Sequence, residues 1–319
     1  MKKLVFFILL ILILVPVGVI TFLHVAFPKD SPVPAITASK DPAVIARGEY
    51  LASHVLACVD CHSDRDWNAR TAPVVPGTIG KGGQLMEPEI GDPVSSNITP
   101  FGLGDWTDPE IARAIACGID RDGKPLGPSM PYLEYNTLYE EDLVAIVSWV
   151  RSLDPIEDTP RESKYSFPFS LILRTLPLPY EPIQAPANPT PVERGEYLVG
   201  HAGCYHCHTP FDKGKYDESM SFAGGHVLVF EHTDQISPNI TMDEETGIGA
   251  WTEESFIAMF RAYASDEGKR LKASDRGGPT IMPWSSYGGM TDDDLKAIWA
   301  FIQTVPTRKH DPEGASSGV

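Results

Sequence analysis

The sequence predicts an all-α protein: two tandem helical domains behind an N-terminal transmembrane helix. Three observations carry this expectation. An apolar run from Leu4 to Phe27 follows Lys2 and Lys3. The motif Cys58-Val59-Asp60-Cys61-His62 returns 146 residues later as Cys204-Tyr205-His206-Cys207-His208. Around each copy the same landmarks recur in the same order: Arg47-Gly48-Glu49-Tyr50-Leu51 as Arg194-Gly195-Glu196-Tyr197-Leu198, Gly82-Gly83 as Gly224-Gly225, Asn97-Ile98-Thr99 as Asn239-Ile240-Thr241, and Trp106-Thr107 as Trp251-Thr252. Leu143 to Val150 aligns in the same way with Leu295 to Ile302. This is the pattern of a tandem duplication.

Residues 1–28 read as a membrane anchor. The apolar run of 24 residues is long enough to cross a bilayer core, and a cleaved signal would have a shorter apolar region and a small-residue cleavage site. Cleavage after Ala26 is the alternative. The two leading lysines place the N-terminus in the cytoplasm and the rest of the chain outside. Residues 29–40, with proline and serine, read as a tether.

The first domain spans 41–153. Asp41 is placed to cap a helix with Pro42 at its first position. Gly48 lowers the stability of that helix and marks a close crossing with another, for which Leu143, Ile146, Val147 and Val150 give the partner face. Thr107 and Glu110 form a capping box for a helix reaching Cys117. The second domain, 193–306, repeats the plan. Between them, residues 154–192 hold nine prolines and the apolar strap Phe167–Leu173, expected to pack against one domain or to offer a sticky surface. Residues 307–319 read as a disordered tail. Asn97 and Asn239 stand in N-x-T sequons, and their repetition points to a loop turn or a polar contact near the cofactor.

C-x-x-C-H is the attachment signature of a c-type haem. Two thiols at this spacing can add to the vinyl groups on one porphyrin edge, and the adjacent histidine is then held under the iron. Zinc would require the two pairs to converge on one ion. The expectation is two covalently bound haem c groups, on Cys58, Cys61 and His62 and on Cys204, Cys207 and His208. A Met-Pro pair follows each motif, Met130-Pro131 and Met282-Pro283. A thioether opposite imidazole stabilises ferrous iron, and proline restrains the backbone beside the ligand. The iron ligands expected are therefore His62 with Met130 and His208 with Met282. Met86, Met220, Met242, Met259 and Met290 read as filler or surface residues. Cys117, the fifth cysteine, reads as a small buried side chain.

The chain carries a net charge of −17 over 319 residues. Residues 41–153 hold 8 basic and 17 acidic side chains, and residues 193–305 hold 9 and 18. Such a surface argues against nucleic acid, whose binding needs a basic footprint. It suits either plain solubility or a basic redox partner drawn in by the field.

The Asn-Ile-Thr turn, Thr246-Gly247-Ile248-Gly249-Ala250-Trp251-Thr252, and Met-Pro before a capped helix resemble the class I cytochrome c-like haem domains of the cytochrome c subunits of membrane-associated bacterial alcohol dehydrogenases and molybdenum hydroxylases. The resemblance covers roughly 44–153 and 193–305 and extends to the Phe-Pro-Phe strap. It implies a subunit on the periplasmic side of the cytoplasmic membrane that passes electrons from a dehydrogenase or other donor toward the respiratory chain or a terminal oxidase, with no substrate chemistry of its own. It also implies axial positions at His62, Met130, His208 and Met282. The sequence departs from that family in carrying two haem motifs rather than three, and in reading Phe101-Gly102-Leu103-Gly104-Asp105-Trp106 in the first half. The alternative from another class is a dihaem enzyme, either a peroxidase, with one iron open, or a thiosulfate dehydrogenase-like protein using Cys117 as a ligand.

Overall fold

The computed structural model describes residues 2–29, 31–33, 35–85, 90–230 and 233–312. Met86, parts of the tether and residues 313–319 of the tail lie outside the described residues.

Helix α1, Lys2–Ala26, is apolar on every side and has no buried residue. Its mean hydropathy reaches 3.2, and it is the one described helix long and apolar enough to cross a membrane. At 1.5 Å per residue its 25 residues extend about 37 Å. The first half is built on α2 (Pro42–Tyr50), α3 (Asp108–Cys117) and α4 (Glu140–Ser152), and the second on α5 (Pro191–His201), α6 (Glu253–Ala264) and α7 (Asp292–Ile302). Asp41 caps α2 by accepting from the Ala43 amide, and Thr107 and Glu110 close the capping box of α3. Thr190–Glu193 does the same for α5.

The main helix crossings are α2 on α4 and α5 on α7. Both depend on the repeated glycine. A Cβ on Gly48 would lie 1.9 Å from the Ala145 carbonyl oxygen, and one on Gly195 would lie 2.0 Å from that of Ala297. No side chain fits between the two backbones at either crossing.

The helices are joined by loops with three two-stranded antiparallel ribbons among the described residues, so the architecture is helix-rich rather than purely helical. Gly91–Asp92 pairs with Lys164–Tyr165, Phe211–Asp212 with Lys215–Tyr216, and Val227–Phe230 with Thr233–Ile236. The first ribbon lays the linker onto the first half. Leu173 and Tyr180 are then buried, and the Tyr180 hydroxyl donates to the Leu138 carbonyl at 3.0 Å.

The larger core crosses the repeat boundary. Leu51, Val55, Tyr135 and Ile146 pack in one cluster with Tyr197, Leu198, Phe256, Tyr287 and Trp299. A second core, confined to the first half and the linker and tether ends, gathers Ile36, Val59, Ile111, Cys117, Leu143 and Tyr180. Polar contacts also cross the boundary in a reciprocal pair. Arg47 grips Asp142 through two bonds of 2.9 and 3.0 Å, and Tyr197 of the other half donates to the same carboxylate at 2.8 Å. Arg194 grips Asp294, and Tyr50 of the first half donates to it. The Asp142 and Asp294 side chains are almost fully buried, so each needs those donors.

The tail differs from expectation at its start. Residues 308–310 are bound to the second half: the Arg308 and His310 carbonyls accept from the Asn239 amide at 2.7 and 3.3 Å, and His310 Nδ1 lies 2.9 Å from the Ala223 carbonyl oxygen. Buried polar partners on the domain surface hold this stretch, despite its polar composition.

Candidate functional site

The sequence brings each C-x-x-C-H onto a short helical turn, Cys58–Cys61 and Cys204–His208, directly after α2 and α5. The histidine of each motif is then oriented by one ring nitrogen. His62 Nδ1 lies 2.7 Å from the Ser96 carbonyl oxygen, and His208 Nδ1 lies 2.8 Å from that of Pro238. An Nδ1–H donated to a carbonyl fixes the tautomer and leaves Nε2 as the basic, ligating nitrogen. Burial lowers the pKa of both imidazoles, which favours the neutral form a metal ligand needs.

Ser96 and Pro238 each precede a sequon asparagine, and the repeated glycines explain how these carbonyls are presented. Gly82 donates its amide to the His62 carbonyl at 3.0 Å, and Gly224 to that of His208 at 2.7 Å. Both glycines have φ near +74°, and a Cβ on either would meet the adjoining backbone at about 2.5 Å. The asparagines lock the same turn. Asn97 Oδ1 accepts from the Thr99 amide and hydroxyl at 2.9 and 2.7 Å, and Asn239 Oδ1 accepts from those of Thr241 at 2.9 and 2.8 Å. The amide nitrogens reach elsewhere. Asn97 donates to the Ile156 and Asp158 carbonyls, and Asn239 to Arg308 and His310. The sequons are thus clasps on the chain leaving the last helix of each half.

In the first half, Cys58, Cys61, His62 and Met130 line one open crevice, walled by Trp106, Ile115, Leu126 and Trp149. In the second half Cys204 and Met282 pack against the shared core, as Cys58 and Met130 do. The Met-Pro loops match in detail. Tyr132 donates its amide to the Met130 carbonyl and Trp284 to that of Met282, each at 2.7 Å. Five residues after each methionine a buried tyrosine reaches back: Tyr135 to the Leu56 carbonyl at 3.1 Å, Tyr287 to that of Ala202 at 2.5 Å. Both carbonyls lie two residues before the first motif cysteine, so each tyrosine ties the methionine loop to the cysteine turn. No disulfide joins the four motif cysteines, and burial pushes Cys58 and Cys204 up to about 12.

Cys117 does not line the crevice. It is fully buried on another face of α3, with Sγ 4.0 Å from the Ser31 carbonyl oxygen, and burial raises its pKa to about 11. Burial away from the crevice removes the support for a cysteine-ligated iron.

Sequence reasoning missed one pair. Glu134 of the first half faces His206, the residue inside the second C-x-x-C, at 3.0 Å. Burial raises Glu134 to about 7 and lowers His206, and Glu134 Oε2 and His206 Nδ1 are buried with no hydrogen-bond partner among the described residues. Both groups are therefore biased toward their neutral forms between the two motifs. The sequence signal was slight: an acid in a Met-Pro loop and a histidine at a variable motif position.

Comparison with known proteins gives the same reading. Residues 192–306 match the cytochrome c family model. The alcohol dehydrogenase (quinone) cytochrome c subunit of Gluconacetobacter polyoxogenes is 28% identical over 289 residues, covering 85% of this chain and 58% of that one. The gluconate 2-dehydrogenase cytochrome c subunit of Pantoea cypripedii is 30% identical over 281 residues, 82% of this chain and 60% of that one. A diheme cytochrome c-type protein of Cereibacter sphaeroides is 26% identical over 264 residues, covering 78% and 82%. The chain thus spans somewhat over half the length of the dehydrogenase subunits it matches. It contains a cytochrome c domain over residues 192–306, and it resembles along most of its length the cytochrome c subunits of bacterial dehydrogenases.

Proposed function

We propose that this protein is a membrane-anchored dihaem cytochrome c that carries electrons from a periplasmic dehydrogenase, or another donor, to the respiratory chain. The observation that carries the reading is the twice-built histidine. In each half the motif imidazole has Nδ1 committed to a backbone carbonyl, beside the two motif cysteines and a tied-down Met-Pro loop. The crevice of the first half is apolar and lined by both motif cysteines, which suits a porphyrin. Cys58 and Cys61, and Cys204 and Cys207, would hold the two groups. His62 with Met130, and His208 with Met282, would ligate them. Haem c so ligated exchanges one electron at a time, with the thioether favouring the ferrous state.

The protein's own residues do the rest. Trp106, Ile115, Leu126 and Trp149 give the first crevice an apolar wall, Ser96 and Pro238 orient the imidazoles, and Tyr135 and Tyr287 fix the methionine loops. With a histidine and a methionine assigned to each haem, this reading would leave no open position for substrate. Residues 41–153 and 193–306 act as the two redox modules, 154–192 as their linker, and α1 as an uncleaved anchor holding both on the periplasmic side. The acidic surface attracts a basic redox partner. The test is to extract the full chain from membranes, count its haems by mass and pyridine haemochrome, and mix it with a small soluble cytochrome c or a quinol oxidase. Two haems that reduce and reoxidise quickly are expected. One haem, or rapid turnover of peroxide with slow electron exchange, would overturn the reading.

A further inference from the structure

The linker strap is fastened to the root of α1. Arg174 Nε lies 3.3 Å from the Leu23 carbonyl oxygen, and its Nη2 lies 3.2 Å from that of His24 and 2.5 Å from that of Phe27. Carbonyls at a helix C-terminus lack intrahelical donors and carry partial negative charge, so a guanidinium is a fitting cap. Around this anchor point the strap leaves large apolar side chains uncovered: Phe167 is 77% exposed, Ile172 49% and Leu178 40%. Leu173, next to Ile172, is buried, so the segment is seated while these three apolar side chains stay exposed.

The length of α1 sets the depth of this strap. About 37 Å of helix exceeds the roughly 30 Å hydrocarbon core, so the last turn, with Leu23 and His24, sits at the headgroup boundary. Arg174 bonds to that turn directly and brings the strap to the same level. We propose that Phe167, Ile172 and Leu178 enter the interface of the bilayer that α1 crosses. They form a second, monotopic contact that fixes how the cytochrome head is turned toward the membrane surface. Arg174 sits where its aliphatic stem can lie among acyl chains while its charged end stays at the helix terminus. The proposal rests on reading α1 as an uncleaved span.

The test uses the full chain in nanodiscs of mixed zwitterionic and anionic phospholipid, spin-labelled at Phe167→Cys, Ile172→Cys, Val25→Cys or Lys213→Cys. Val25 lies near the end of α1, and the Lys213 side chain is 89% exposed on the second half. Collision with oxygen relative to a nickel chelate reports depth. At positions 167 and 172 the ratio is expected to rise several-fold above that at 213, and Arg174→Ala should lower it at 167. Ratios at 167 and 172 equal to that at 213, with 25 still in lipid, would overturn the strap contact and leave the anchor standing. An aqueous signal at 25 would overturn both. Labels at 167 and 172 shielded from both reagents would show a protein surface, or a second copy, covering the strap instead of lipid.

Discussion

The two halves repeat the bonds that orient the motif histidines and differ in the bonds that hold the turn before the tryptophan. In the second half that turn, Thr241 to Trp251, is held from within. Asp243 accepts from the Glu245 and Thr246 amides at 3.2 and 2.8 Å and from the Thr246 hydroxyl at 2.8 Å. The first half lacks such an aspartate and instead opens a helical turn at Pro100–Leu103. Arg151 holds it from outside, donating to the Leu103 carbonyl at 3.0 Å, to Trp106, and to Asp108 at 2.7 Å. Gln303 stands at the matching position of the second half. A glycine is required in both, since a Cβ on Gly102 would lie 2.1 Å from the Asn97 carbonyl oxygen and one on Gly247 2.2 Å from that of Thr241. One local shape can thus be reached through different side chains, whereas His62 and His208 are oriented by the same bond.

If the two iron sites are equivalent, Met130→Ala and Met282→Ala should have the largest and most similar effects. Each should abolish the thioether-to-ferric-iron absorption of one haem. Each should also lower that haem's potential by on the order of 0.1 V, within the roughly 0.8 V that axial ligands control. Redox titration followed optically checks this, and a variant that leaves both spectrum and potentials unchanged would remove that methionine from the ligand set.

Gly48→Ala and Gly195→Ala test the helix crossings. With backbone oxygens at 1.9 and 2.0 Å, nothing flexible can give way, and each should cost about 3 kcal/mol in urea unfolding, the upper end for overpacking. A large loss at one position alone would break the symmetry of the halves. The clasps come next. Asn97→Ala and Asn239→Ala should each cost about 1–3 kcal/mol through buried groups left without partners. Hydrogen exchange should quicken near Ile156 to Asp158 in the first variant and near Arg308 to His310 in the second.

The smallest expected effect is on pH dependence, read at Asp108 of the first half. Burial pushes the Asp108 carboxyl up, but the Ala38 amide and Arg151 outweigh it and leave the pKa below the usual value. Its unfolded pKa is higher, so its stabilisation is present at neutral pH and lost as pH falls through the folded value. Asp108→Asn should flatten part of the stability change between about pH 5 and about pH 2. An unchanged acid limb would show that Arg151 does not depend on this partner.

Much of this was legible in the sequence because the signals are local. Asp41, Thr107 and Glu110 announce helix starts within four residues, and Gly48 announces a crossing because the partner face at Leu143–Val150 has helical spacing. The motif residues and the Met-Pro pairs stand out because they occur twice. What was not legible depends on how the repeats face each other. Periodicity assigns Tyr50 and Tyr197 to helices but cannot say that each points at the other half's aspartate. The Asn97 and Asn239 amides find acceptors 59 to 71 residues away, and Glu134 meets His206 across the same boundary. The held stretch at 308–310 escaped notice because its composition is that of a free end.

The exchange of tyrosines has a consequence for cooperativity. Asp142 and Asp294 each receive a donor from the opposite repeat, so neither half keeps a satisfied interior when the other opens. The linker could be cut without separating the two, and a single half expressed alone would carry a buried carboxylate short of one donor along with an uncovered core face. Proteins of more than one domain commonly melt in steps. Here scanning calorimetry should show one transition for both repeats, and Tyr50→Phe together with Tyr197→Phe should begin to split it. The crossed side chains tie the two repeats into one interior.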